Sequence, residues 1–320
     1  MPGRPGGPHQ HGRPGGLLAG ATRAAQAATD QATTFGYLSG WRLVRRLPER
    51  QAQALFRRLG DEIHRRQGTG VQRLRANLHR VSPELDDAAL DRLTHEAVRA
   101  YLRYWCESFR LPAWPVEDVV RRTRTVGEQH LRDAYAQGRG VVVPLPHMAN
   151  WDWAGAWACA TGMPLATVAE RLRPERLYDE FVAYRSSLGM QILPLTGGDA
   201  ALPRLESWVG SGGLACLLAD RDLSRTSVQV ELCGAPARMP RGPAYLARKT
   251  GAPLLPATLH YVGTEMTITV HPPVPHADGD DGLAVMTQGI ADAFTTGLRE
   301  HPQDWHMMQK VFVEDLRPRS

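Results

Sequence analysis

Four cysteines, Cys106, Cys159, Cys216 and Cys233, are scattered through the 320 residues, and no two of them stand at CxxC spacing. Such thiols define neither a disulfide framework nor a zinc site, and buried, reduced cysteines in a reducing cytoplasm are the plain expectation. Lysine is scarcer still: Lys249 and Lys310 are the only two, so arginine carries almost all of the positive charge. The chain also lacks a long apolar run. Its longest uncharged stretch, 153–169, is broken by Gly155, Gly162 and Pro164, and it falls short of the roughly 20 apolar residues that cross a bilayer. Nor does the N-terminus hold the compact apolar core of a signal peptide. Any meeting with a membrane is therefore expected at its surface.

What remains is an ordinary globular composition with a basic balance. Hydrophobic residues make up 42% of the chain, enough to bury a real core. The formal charge is +5 and the isoelectric point about 9.2, which favours anionic partners such as phosphates or acidic lipid headgroups. Codon usage rich in arginine explains the same numbers equally well. The arginines are dispersed and no nucleic-acid-binding motif accompanies them, so no nucleic-acid partner is expected.

Residues 1–33 are mainly Gly, Pro, Ala, Thr and Arg, a composition that cannot bury enough surface to order itself, and they are expected to form a disordered tail. Residues 34–110 carry a helical pattern, expected as amphipathic helices packed on the rest of the chain. Tyr37, Trp41 and Val44 share one side of the first helix and Arg42, Arg45 and Arg46 the other; Leu55, Phe56 and Leu59, then Val71, Leu74 and Leu78, continue the pattern. A long helix is predicted from Asp86 to Phe109. Over 111–320 the pattern changes to alternating strand and helix. Strands are predicted at 141–143, 166–168, 191–193, 214–218, 228–232, 254–260 and 266–270, and helices from about 150, at 176–188, 243–249 and 282–299. The fold class is α/β, a mostly parallel sheet flanked by helices, with 34–320 forming one integrated domain. Sites in such sheets lie at the carboxyl ends of the strands.

At one such end stands Pro146-His147-Met148-Ala149-Asn150-Trp151-Asp152. A carboxylate that accepts from one imidazole nitrogen fixes the tautomer and stabilises the cation formed when the other nitrogen takes a proton. A His147–Asp152 pair of that kind suits proton abstraction from an alcohol. No serine or cysteine lies nearby, so direct attack by the substrate hydroxyl is simpler than a covalent enzyme intermediate. The plain alternative is a loop histidine beside a helix-cap carboxylate. A metal hydrolase would need a third ligand at motif spacing, and none is present; no metal is expected.

The segment resembles the HX4D motif of the lysophospholipid acyltransferase superfamily. Within it the chain is most similar to the bacterial branch of lipid A late acyltransferases and actinobacterial phosphatidylinositol mannoside acyltransferases. The stretches 40–44, 147–157, 167–172, 181–195, 219–223, 238–244 and 301–306 (His301-Pro302-Gln303-Asp304-Trp305-His306) carry that resemblance in order. It implies a glycerolipid acyltransferase-like fold with an N-terminal membrane-facing helical segment, and His147 as the base for a sugar hydroxyl attacking an acyl-CoA thioester. Asp152 would orient the base. Asp220 stands where the mannoside enzymes are expected to hold glutamate; it relays to His147 or is merely structural, bound to Arg221 or a helix end. Glu170 would touch the acceptor sugar or support the site, or else pair with Arg171 or Arg173 in solvent. Arg171, Arg173 and Arg176 suit phosphates of CoA or acceptor, because a guanidinium binds phosphate oxygens in pairs. Arg221, Arg238 and Arg241 complete the candidate substrate-binding set, the last beside a helix start at Gly242-Pro243. The implied partners are acyl-CoA as co-substrate, with no resident cofactor, an anionic glycolipid acceptor, and the cytoplasmic leaflet of the plasma membrane, met peripherally. Acylation of another glycolipid or lysolipid and a catalytically silent membrane-associated scaffold are the alternatives.

Overall fold

The computed structural model describes residues 40–169, 175–194, 201–222, 224 and 226–316. The tail expected over 1–33 lies outside these residues, as do Glu170, Arg171 and Arg173. Four helices come first: α1 (40–46), α2 (Glu49–Arg66), α3 (Thr69–Val81) and α4 (Asp87–Arg110). Asp86 caps α4, its carboxylate accepting from the Ala89 backbone N–H at 2.7 Å and so pairing one of the amides that a helix start leaves without a partner. Leu90, Ala97, Val98 and Leu102 of α4 close a core with Phe56 of α2 and Leu74 and Leu78 of α3.

One detail of these helices differs from the sequence-based expectation. On α2 the buried residues are Ala52, Phe56 and Gly60, while Leu55, Leu59 and Ile63 remain 42%, 43% and 38% exposed. Both sets repeat every four residues. The face carrying Gly60 turns inward because α4 passes so close there that even a Cβ at Gly60 would lie 3.3 Å from the Arg99 Cα, leaving no room for a leucine at that point. On α1 the expected sides hold: Trp41 is buried against Phe109, Phe181 and Tyr184, with Val44 buried beside it, while Arg42, Arg45 and Arg46 are exposed, as is Leu43 at 60%.

Strands and helices then largely alternate, with several elements beyond those predicted: α5 (Val116–Arg121), β1 (Thr123–Val126), α6 (Glu128–Ala136), β2 (Val141–Leu145), α7 (Trp151–Ala160), β3 (Leu165–Ala169), α8 (Glu175–Ser187), β4 (Gln191–Pro194), α9 (Ala201–Gly210), β5 (Leu214–Leu218), β6 (Val228–Leu232), β7 (Ala235–Met239), α10 (Gly242–Thr250), β8 (Ala257–Val262), β9 (Glu265–Val270), α11 (Gly282–Glu300) and α12 (Val313–Leu316). Strands β2, β5, β3 and β4 form a parallel sheet in that order. A second sheet runs β1-β9-β8, with β1 and β9 parallel and β8 antiparallel to β9, and β6 and β7 make a separate hairpin.

The predicted strand at 254–260 begins only at Ala257. Pro253 and Pro256 lack the N–H that a ladder needs, and Leu254 serves as an isolated bridge, parallel to Val142 and antiparallel to Val274. That bridge links the two sheets: the Val142 N–H donates to Pro253 O and the Leu255 N–H to Val142 O, each at 2.9 Å. Among the described residues no helix is long and apolar enough to cross a membrane.

Candidate active site

The site is set by strand register. Leu145, the last residue of β2, lies opposite Leu218, the last of β5. His147 follows two residues beyond the first and Asp220 two beyond the second, so the two side chains emerge side by side at the carboxyl edge of the sheet. The His147 Nδ1 lies 2.6 Å from Asp220 Oδ1. The backbone N–H of His147 and the Trp305 indole N–H both donate to Oδ2, each at 2.9 Å. A carboxylate offers only acceptors, so Nδ1 carries the proton and the lone pair of the neutral ring sits on Nε2. That nitrogen makes no hydrogen bond to the described residues. Asp220 is wholly buried, whereas His147 keeps 35% of its side chain exposed. Burial alone would push the Asp220 carboxyl up; the adjoining imidazole and the hydrogen bonds from His147 and Trp305 outweigh it and hold the group below the usual carboxylate range,.

Asp152, expected to orient His147, is placed elsewhere. Its Oδ1 accepts from Arg185 Nε of α8 at 2.7 Å, and its Oδ2 accepts from Arg185 Nη2 at 3.4 Å and from the Tyr104 hydroxyl of α4 at 3.3 Å. The motif aspartate lies in the first turn of α7, on the face that packs on α4 and α8, while the imidazole leans toward β5. Asp220 is the carboxylate on the ring. Burial depresses the Arg185 guanidinium, but the Asp152 charge overrides it and the group is held more basic than usual.

Between β2 and α7 the chain makes a tight turn in which Ala149 adopts φ 42°, a left-handed conformation that a non-glycine residue rarely takes. Asn150 then caps α7, its Oδ1 accepting from the Trp153 N–H at 3.0 Å. The Trp151 ring stands edge-on to His147 at 5.3 Å between centroids.

An apolar crevice runs along the two strands that end at His147 and Asp220, although neither of these residues lines it. Its walls include Leu145 and Val143 of β2, Leu218, Cys216 and Leu214 of β5, and Gly155 of α7. Leu214 to Leu218 spans four residue-to-residue steps, about 13 Å at ~3.3 Å per step,. Asp152 and Arg185 form a charged portion of the lining, and Met190 packs beside Gly155. Burial pushes the Cys216 thiol up to about 12, which disfavours the thiolate that a nucleophile needs,.

The other candidates are spread out. The Arg221 Nε donates to Lys310 O at 3.1 Å, the Arg238 Nε donates to Ser227 Oγ at 2.7 Å, and Arg241 lies exposed at the start of α10. Arg176 is exposed on α8. None of these four is hydrogen-bonded to His147 or Asp220. Among the described residues no group of three His, Cys, Asp or Glu could hold a metal ion. Tyr104, Arg185 and Trp305 escaped sequence reasoning as parts of the site. Tyr104 carries no local signal; Arg185 and Trp305 lie within stretches that carry the family resemblance (181–195 and 301–306), which give no sign of their hydrogen bonds.

The chain is 42% identical over 287 residues to a phosphatidylinositol mannoside acyltransferase of Mycolicibacterium smegmatis, covering 89% of this chain and 93% of the relative. It is 41% identical over 293 residues to a protein of the same name from Mycobacterium tuberculosis, covering 91% and 92%. Residues 23–314 match the family described as bacterial lipid A biosynthesis acyltransferase. Nearly the whole chain, with the paired His147 and Asp220 at its sheet edge, is thus accounted for by one family: the protein belongs to the bacterial lipid A biosynthesis acyltransferases.

Proposed function

We propose that the protein transfers a long-chain acyl group, palmitoyl being the natural candidate, from acyl-CoA to a mannose hydroxyl of a phosphatidylinositol mannoside. The observation that carries this is the open Nε2 of His147, backed by a buried carboxylate, at the end of a strand whose Val143 and Leu145 line an apolar crevice. Names borne by relatives at 41–42% identity over about nine-tenths of the chain supply the acceptor class.

In this reaction Nε2 takes the proton of the acceptor hydroxyl as its oxygen attacks the thioester carbonyl. The tetrahedral intermediate collapses with loss of CoA thiolate, which recovers the proton from the imidazolium. Asp220 stabilises that cation and keeps Nδ1 protonated throughout. The acyl chain lies in the crevice, each buried methylene contributing about 0.8 kcal/mol. Arg171 and Arg173, with Glu170, would serve the phosphates and the sugar at the end of β3. The protein works peripherally on the cytoplasmic leaflet of the plasma membrane. Leu43, Leu55, Leu59 and Ile63 supply exposed apolar side chains on α1 and α2, with Arg42, Arg46 and Arg58 exposed beside them, the composition of an interfacial surface.

The test is transfer of labelled palmitoyl from palmitoyl-CoA to a panel of lipid acceptors by wild type and by His147→Ala. A phosphatidylinositol mannoside should be the best acceptor, and the variant should lose about a hundredfold to ten-thousandfold in rate. Full activity in the variant refutes the base; preference for an unrelated lysolipid refutes the acceptor.

A further inference from the structure

The stretch His301–His306 has no part in the reaction as described, yet it grips the catalytic turn. The Ala149 N–H donates to Asp304 O at 2.9 Å and the His306 N–H to His147 O at 2.8 Å. Met148 and Trp305 face each other as an antiparallel bridge. Two side chains add to these backbone ties. His306 Nε2 lies 2.9 Å from Ala149 O, and the Trp305 indole N–H donates to the catalytic-side carboxylate Asp220 at 2.9 Å.

Each contact answers a specific need of the turn. Ala149 is held in a disfavoured left-handed conformation, which persists only where its surroundings over-determine it; here both its N–H and its C=O are engaged by the same segment. Because a carbonyl only accepts, His306 Nε2 must carry the hydrogen. Burial keeps this ring neutral by pushing its pKa down to about 3, so it acts as a fixed donor. Trp305 is wholly buried. Packing requires the bulk of its ring, but not that its single polar atom should point at Oδ2 of Asp220. Without that donor the carboxylate keeps only its bonds to His147, and nothing restrains rotation of its second oxygen except one backbone amide.

We propose that Trp305 and His306 are positioning residues of the transfer reaction: Trp305 locks the Asp220 carboxylate against the imidazole, and His306 locks the left-handed turn that carries His147. Neither touches substrate. The proposal rests on the reading of His147 as the base.

The decisive experiment is a double-mutant cycle with full-length protein, palmitoyl-CoA and a phosphatidylinositol mannoside. Trp305→Phe should lower kcat about tenfold to a hundredfold, the effect of one lost hydrogen bond to a charged group, with KM for both substrates within about twofold. In an Asp220→Ala background the same change should cost less than about twofold, because the indole acts through that carboxylate. His306→Leu should lower kcat, and His306→Gln, whose amide can reach the Ala149 carbonyl, should restore most of it. An undiminished kcat in folded Trp305→Phe overturns the proposal, and so does an equal loss in both backgrounds. Should Trp305→Phe fail to fold, benzothienylalanine at position 305, of the same shape but without the N–H, takes its place. The proton on His147 Nδ1 offers a readout independent of turnover, as a downfield NMR resonance. Trp305→Phe should shift or broaden it, and an unmoved resonance overturns the clamp. If wild type transfers no acyl group, the reaction reading fails by itself and this resonance alone decides the clamp.

Discussion

Exchanging Asp220 for asparagine tests the site at the level of a single proton. The carboxylate makes three contacts: Oδ1 to His147 Nδ1 at 2.6 Å, and Oδ2 from the His147 backbone N–H and the Trp305 indole, each at 2.9 Å. An asparagine can seat its amide in two ways. With its oxygen at the Oδ2 position it still accepts from both N–H groups and turns its NH2 toward Nδ1. Flipped, it keeps the bond to Nδ1–H but sets its NH2 against two buried donors. An unsatisfied buried donor costs about 1–3 kcal/mol, so two against one favours the first orientation. There the amide donates to Nδ1, which must become the acceptor, and the ring proton moves to Nε2.

The nitrogen that faces the substrate then has no lone pair to offer. For a histidine base in the wrong tautomer the expected loss in kcat is about 10³- to 10⁴-fold, or roughly 4–5.5 kcal/mol in the barrier. The fold should tolerate the change because both Oδ2 bonds survive, and KM should move little because no substrate contact is lost. The assay is steady-state transfer of labelled palmitoyl to a mannoside acceptor, with thermal unfolding in parallel. An asparagine variant retaining kcat within about tenfold of wild type refutes the assignment of Asp220 as the tautomer-fixing group.

Other perturbations should separate structure from chemistry. Asp152→Ala strands the buried Arg185 guanidinium, so stability should fall by about 3–5 kcal/mol; an unchanged melting temperature would show that the pair does not hold the helices together. A Cβ at Gly155 would meet Met190 Cε at 2.6 Å and Sδ at 2.9 Å. The end of a flexible side chain can yield into the crevice, so Gly155→Ala should move acyl-donor preference toward shorter chains, read from kcat/KM across a donor series; a flat response would place the acyl chain elsewhere. Burial raises the Asp304 carboxyl from 3.8 to about 7. The fold therefore prefers the protonated form, and this stabilisation is complete below about 3.8 and lost as pH rises through about 7. Asp304→Asn, which can still accept from the Tyr261 N–H, should remove that dependence and gain up to about 4 kcal/mol over wild type at pH 8. Denaturant unfolding at pH 4 and 8 checks this, and an equal gain at both values would refute it.

The elements with a clean period were legible from sequence: β5 and β6 occur at the predicted residues, and α4, α8 and α11 within a residue or so of them. Elements lacking such a period escaped. Strand β7 is joined to β6 by Cys233-Gly234, both at positive φ (54° and 84°), the conformation of a two-residue hairpin turn. The usual signature of such a turn is Asn-Gly or Asp-Gly, and Cys-Gly does not announce it. Short β1, wedged between α5 and α6, offers four residues without a buried run.

The carboxylate on His147 illustrates a deeper limit. Sequence proximity favours Asp152, five residues away, yet the ring meets Asp220, 73 residues away. The family resemblance offered Asp220 as a relay to His147, but nothing local reveals the pairing, because it depends on strand order: β5 inserts between β2 and β3, although consecutive strands are neighbours about two-thirds of the time. Once β5 lies beside β2 in the register Leu145↔Leu218, the pairing follows from counting two residues past each strand end. The motif aspartate then acquires a different physical task. Held by Arg185 of α8 and Tyr104 of α4, it fixes where α7 begins, and the start of α7 fixes the left-handed turn at Ala149 and hence the direction of the imidazole. The five-residue spacing thus bears on the imidazole through backbone placement, and the carboxylate that meets it arrives from the neighbouring strand.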